Sequence, residues 1–209
     1  MTLRHLASSV PSPARWLASW TSAAVTVEAA GIPESLRSEA ESFLAAHRKE
    51  AFSERKAQAL RRRFGWIKSV RVRRQWLAGA VRFDIEGHKA AARLRRKGRP
   101  SGYLSDEGAV FAAPDAFSPG VLPVIEAEAS VAEELKALAA VLAELSRPGE
   151  LPSPLVSMRF VSAGDGWQAL LSDGTVVAWG TLDLTAEKLA RLREVFAQGR
   201  EQFAGVISA

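Results

Sequence analysis

Apolar and polar residues alternate in some stretches of the chain and recur at helical spacing in others. Ala24–Ala29, reading AVTVEA, alternates and predicts a short strand. Gly31-Ile32-Pro33 ends it, and Pro33 followed by Glu34 opens a helix to about Lys49, with Leu36, Ala40, Phe43 and Leu44 as its apolar stripe. A second helix is expected from Ser53, as N-cap, to about Arg63, with Ala57 and Leu60 inward. Gly65-Trp66 reads as a turn. Ile67 to Trp76 then alternates with an imperfect phase, through Ile67, Val70 and Val72. Ala80 to Ile85 alternates again, and Leu77-Ala78-Gly79 between the two runs is a hairpin signal. The order is strand, helix, helix, strand, strand.

The second half opens with a strand over Ala90–Leu94, followed by a basic loop over Arg95–Pro100. Asp106-Glu107-Gly108 is expected to turn between two short strands within Tyr103–Phe111. Val121–Ile125 reads as another strand. Ser130 with Glu133 forms a capping box for a helix whose stripe is Val131, Leu135, Leu138, Leu142 and Leu145, stopped by Pro148-Gly149. Three strands follow, Leu155–Val161, Trp167–Leu171 and Val176–Trp179, with Asp173-Gly174 as the tight turn between the last two. A final helix runs from Thr185 through Leu189, Leu192, Val195 and Phe196, and Gly205–Ala209 ends the chain. The fold class expected is α+β: a small β-α-α-β-β domain over 23–89, then a mixed β domain over 90–209 with two helices packed on an antiparallel sheet. Residues 1–22 form a loose lead-in, with Trp16, Leu17 and Trp20 as a sticky face.

Composition narrows the chemistry. The chain has 209 residues and no cysteine, which excludes disulfides, thiolate catalysis and cysteine-ligated zinc. Its three histidines, His5, His47 and His88, are far apart in sequence, so no histidine metal site is expected. No transmembrane span is read in the N-terminal stretch, which Arg4, Pro11, Pro13 and Arg15 interrupt, and no signal peptide is read there either. The net charge is +5, but its distribution matters more: sixteen of the 28 Lys and Arg fall between Arg55 and Arg99, beside only two acidic residues, Asp84 and Glu86. Such a stretch attracts anionic lipid or nucleic acid. It is equally readable as a solubilising face. The candidate basic face comprises Arg61, Arg63, Arg71, Arg73, Arg74 and Arg82.

Nothing in the chain reads as a catalytic constellation. There is no nucleophile elbow, phosphate-binding loop or dinucleotide glycine pattern. Gly164-Asp165-Gly166 reads as a hairpin turn. Glu39 with Glu41, and Glu133 with Glu134, read as solvated helix faces, since acid–base pairs need burial or close juxtaposition. Trp167 and Trp179 read as core and Trp66 as the plug of the small domain. Trp76 is a packing residue or, on a basic strand, a stacking one.

The ordered motifs resemble a known family. Phe64-Gly65-Trp66-Ile67-Lys68-Ser69-Val70-Arg71-Val72-Arg73 entering a long strand is similar to the POTRA domain of the FtsQ/DivIB cell-division proteins. Val81–Glu86 leading to Ala90-Ala91-Ala92, the Tyr103–Phe111 hairpin, Leu122-Pro123-Val124-Ile125, Trp167–Leu171, Asp173-Gly174, Val177–Gly180 and Lys188–Leu192 then follow in that family's order. The pattern departs at Gly65, where proline is usual, and at Gly87-His88. The family's terminal strand would begin near Gly205, so the β domain is expected to be C-terminally incomplete and the chain a fragment of a membrane-anchored protein.

The resemblance implies a non-catalytic divisome scaffold on the extracytoplasmic side of the inner membrane, without cofactor, metal or small-molecule substrate. The implied partners are other division proteins, an FtsB/FtsL-like coiled coil foremost, with an anionic membrane surface as a further candidate; nucleic acid is not the expected partner. The family docks its partner by strand addition. The surface carried over is Val176, Val177, Trp179, Leu189, Leu192, Phe196, Val206 and Ile207. The competing reading is a surface-binding module for anionic lipid or nucleic acid working through Arg55–Arg99.

Overall fold

The computed structural model describes residues 25–28, 32–47, 53–75, 80–127 and 133–207, without the side chains of residues 25, 75 and 199–207. Trp16, Leu17, Trp20, Trp76, the Leu77–Gly79 link and the Ser130 cap with Val131 lie outside the described residues. The chain divides into two compact units, Met1–Gly87 and His88–Ala209.

The first unit holds β1 (Val25–Glu28), α1 (Glu34–Ala46), α2 (Ser53–Arg63), β2 (Ile67–Gln75) and β3 (Ala80–Gly87), the expected order. Pro33 stands before α1, where its missing N–H costs nothing, and its carbonyl accepts from the Leu36 and Arg37 amides. Leu36, Ala40 and Leu44 recur every four residues and are buried together. The sheet runs β1-β3-β2, with β1 parallel and β2 antiparallel to the central β3. Val81, Phe83 and Ile85 of β3 face the helices, opposite Arg74, Val72 and Val70 of β2. The imperfect phase of β2 has a cause: the register shifts between Ile67 and Ser69, so Ile67 stays buried although it is three residues from Val70. Trp66, 2% exposed, plugs the turn into β2 beside Phe64.

Among the described residues the second unit holds a seven-stranded sheet in the order β10-β9-β8-β7-β4-β5-β6. Its strands are β4 (Ala90–Arg96), β5 (Arg99–Ser105), β6 (Val110–Phe111), β7 (Val124–Glu126), β8 (Leu155–Ser162), β9 (Gly166–Leu171) and β10 (Val176–Gly180). The expected antiparallel sheet is instead mixed, because β7 pairs parallel with both β4 and β8. The reason is the connection: α3 (Leu135–Leu145) carries the chain from the end of β7 back to the start of β8, and such a crossover joins parallel strands.

The expected basic loop Arg95–Pro100 is also corrected. It is a hairpin, with Arg96 facing Arg99 and a two-residue turn of Lys97 (φ 50°) and Gly98 (φ 74°). Positive φ at both central residues is what a type I′ turn requires.

One face of the sheet is the core. The register places Val177, Ala169, Met158, Ile125 and Leu94 in a single row across five strands. Leu138, Leu142 and Leu145 of α3, and Leu189 of α4 (Thr185–Ile207), belong to the same buried cluster. Each such leucine contributes roughly 1.5–3 kcal/mol of burial.

Candidate partner-docking edge

β10 is the last strand of the sheet and pairs only with β9 among the described residues. Which of its backbone groups are free follows from the register. The Leu171 amide donates to the Thr175 carbonyl, so Thr175 and Leu171 form a hydrogen-bonded pair. Two residues on, Val177 and Ala169 repeat that class, because antiparallel pairs alternate. The N–H and C=O of Val176 and Ala178 therefore point away from β9, toward the open edge. Their side chains share the outer face, with Val176 at 55% exposure, while Val177 and Trp179 turn to the core.

The hairpin behind this edge is held tightly. The Thr175 amide donates to Asp173 Oδ1 at 2.8 Å, and this bond keeps the Asp173 carboxyl below the usual carboxylate range. At its far end β10 bulges between Ala178 and Gly180, and Gly180 crosses directly over Gly166. A Cβ on Gly166 would lie 2.3 Å from the Gly180 carbonyl carbon, at φ +68°, so only glycine fits. Gly164-Asp165-Gly166 thus enters β9 as the expected turn, closed by Ser162 Oγ donating to Asp165 Oδ2 at 2.7 Å.

The chain passes from β10 to α4 through a polar knot. Lys188 Nζ donates to the Thr181 carbonyl at 2.8 Å, lies 3.4 Å from Asp183 Oδ1 and sits 5.8 Å from the centre of the Trp179 ring. The Thr181 hydroxyl, and after it Lys188, hold the Asp183 carboxyl below its ordinary range. This knot ties the helix start to the edge strand. On the neighbouring strand Trp167 donates from Nε1 to Glu134 Oε2 at 2.9 Å. Glu133 and Glu134 are both exposed, as expected, and Glu134 also secures the start of α3 against β9.

The eight residues carried over for docking do not form one surface. Val176 presents its side chain at the edge. Trp179 and Leu189 are core, at 4% and 3% exposure, and support the edge from beneath. Val177 and Leu192 are half-buried. Phe196 lines a shallow cleft with Leu151, Pro152 and Arg193, where Arg193 pairs with Glu150. Val206 and Ile207 continue α4 instead of leaving it, and their side chains are outside the described residues. Ala178, absent from the expectation, supplies half of the free edge groups; counting hydrogen-bond parity back from the Asp173-Gly174 turn would have found it.

The basic residues of the first unit are placed differently from one another. Arg82 pairs with Asp84 at 2.6 Å and with Glu28, and Arg73 pairs with the other oxygen of Asp84 at 2.7 Å. These contacts, the Arg82 hydrogen bond first, hold the Asp84 carboxyl below its ordinary range. Arg74 reaches Glu54 and Ser53 at the start of α2. Arg61 and Arg63 are exposed at the end of that helix, about 15 Å away at 1.5 Å per residue. Arg71 lies in register beside Asp84.

The residues 92–207 match the family model of the cell division protein FtsQ/DivIB, C-terminal. That is more than half of the chain. The protein belongs to the FtsQ/DivIB family of cell-division proteins. The α+β fold described above is consistent with an FtsQ-type protein, and the family is a non-enzymatic one. The matched segment contains β10, its supporting core and nearly all of the second unit. No curated protein matches the FtsQ/DivIB-type chain. No described helix is long and apolar enough to cross a membrane.

Proposed function

We propose that this FtsQ/DivIB-family protein is a divisome scaffold that captures a partner segment on the open edge of β10. The observation that carries the proposal is the pair of residues Val176 and Ala178, whose backbone donors and acceptors face outward on a short, rigidly braced strand. Strand addition there would form main-chain hydrogen bonds without disturbing the β9 ladder. The partner class is a division protein of the FtsB/FtsL type. The first unit is read as a POTRA domain, with its element order as support, and the scaffold is placed on the extracytoplasmic side of the inner membrane.

The test is Ala178→Pro. Proline removes the edge-facing N–H but no bond to β9, so the protein should still unfold in a single cooperative thermal transition. Co-purification with the host's FtsB-type protein should fall at least tenfold. Unchanged co-purification from a folded variant contradicts docking at β10.

A further inference from the structure

The cations of the β4–β5 hairpin are placed differently from Arg73, Arg74 and Arg82 of the first unit, which pair with carboxylates. Arg93, Arg95, Arg96, Lys97 and Arg99 all sit on the β4–β5 hairpin and all are exposed. Among the described residues none of the five makes an ion pair. The carboxylate placed nearest in register is Glu126, beside Arg95, and it makes no ion pair with it. The ribbon closes sharply at its end, where Lys97 and Gly98 form a two-residue turn. We propose that this hairpin tip is a docking site for an anionic lipid surface.

Three features select a bilayer over other polyanions. Four of the five charges, Arg95, Arg96, Lys97 and Arg99, gather within the last residues of the ribbon. They leave it in more than one direction: Arg95 shares the outer face of the sheet with Arg93, while Arg96 and Arg99 are paired across the strands on the other side. A tip so charged meets a plane end-on, where mobile headgroups can gather round each guanidinium and accept paired hydrogen bonds. A nucleic-acid groove or a fixed acidic protein face would instead match charges laid along one side. The tip from Arg95 to Ser101 also has no aromatic residue on which bases could stack, and the aromatic on the ribbon, Tyr103 beside Arg93, is packed against Phe111 and Phe117.

The site is independent of β10 and needs no division partner, so its failure and that of the edge-docking reading are separable. The experiment is sedimentation of the pure protein with vesicles of phosphatidylglycerol and phosphatidylcholine, against phosphatidylcholine alone. Wild-type protein should bind only the anionic vesicles, and less as salt rises. Each cation near such a surface is worth about a fivefold change in affinity. The variant Arg95→Gln/Arg96→Gln/Lys97→Gln/Arg99→Gln should therefore bind on the order of several hundredfold more weakly. The double variant Arg95→Gln/Arg96→Gln should lose on the order of 25-fold, which keeps a graded readout if the fourfold variant folds poorly. Arg73→Gln/Arg82→Gln in the first unit should stay within about twofold, since those charges are already paired. Wild-type affinity in the tip variants, or an equal loss in the Arg73/Arg82 variant, overturns the assignment. So does tighter binding of duplex DNA or polyglutamate than of the anionic vesicles at the same salt.

Discussion

Arg73, Arg74 and Arg82 of the β2–β3 pair and the arginines of the β4–β5 hairpin are placed in opposite ways. In the first unit, Arg73 and Arg82 share Asp84, Arg82 also reaches Glu28, and Arg74 reaches Glu54. In the second unit, the arginines of the β4–β5 hairpin find no carboxylate among the described residues, and β10 leaves backbone groups unpaired at its edge. Net charge along a sequence therefore overstates what is free. Ion pairs between exposed side chains add little stability, but they remove charge from the surface available to a partner. Arg73, Arg74 and Arg82 are closed on the first unit's own carboxylates, while the β4–β5 hairpin and the β10 edge leave charges and hydrogen bonds for others.

That contrast assumes that each unit stands on its own core. The largest expected effects test this directly. Leu142→Ala removes a fully buried side chain from the second unit and Phe83→Ala one from the first. Each should cost about 3 kcal/mol, within the range for large-to-small core changes. Amide exchange should show Leu142→Ala loosening the β7–β9 amides and leaving those of β2 and β3 protected, with Phe83→Ala doing the reverse. Loss of protection spreading equally through both units would break the comparison.

A smaller effect sharpens it. The Asp84 carboxyl titrates below its ordinary range because Arg82, and then Arg73, favour its charged form. Its folded pKa is lower than its unfolded one, so the contribution is fully present above the unfolded pKa of about 4 and is lost as pH falls toward the lowered folded value. The stability of the first unit should drop as pH goes from neutral to acid, and Asp84→Asn should flatten that slope. The tip of the β4–β5 hairpin has no carboxylate partner to protonate, so Gln substitutions there should leave the acid slope of the second unit unchanged. Parallel pH–stability curves for wild type and Asp84→Asn would contradict the role given to Asp84.

Much of this was legible in the sequence. Trp66, Trp167 and Trp179 sat at strand starts and within alternating runs, and all three are buried. The apolar stripe of α3 and the Asp173-Gly174 turn were equally plain, because both are local periodicities. Strand direction was not: side-chain alternation has the same period in parallel and antiparallel strands, so β7 gave no sign of its two parallel neighbours. The Lys97-Gly98 turn was hidden by charge, which made Arg95–Pro100 look like a loop although an X-Gly pair between alternating strands is a hairpin signal. The pairing of Arg82 with Glu28 joins residues 54 apart and could only come from the fold. The edge of β10 was readable as a strand, and its free groups only by carrying hydrogen-bond parity along it from the Asp173-Gly174 turn.

The central claim is that a partner strand adds to β10, and backbone amide exchange at that strand tests it most directly. In the free protein Val177 should be protected by β9, while Val176 and Ala178 should exchange rapidly. On addition of an FtsB-type partner the account predicts that Val176 and Ala178 become protected and Val177 changes little. Partner binding that leaves both edge amides exchanging as before would contradict it.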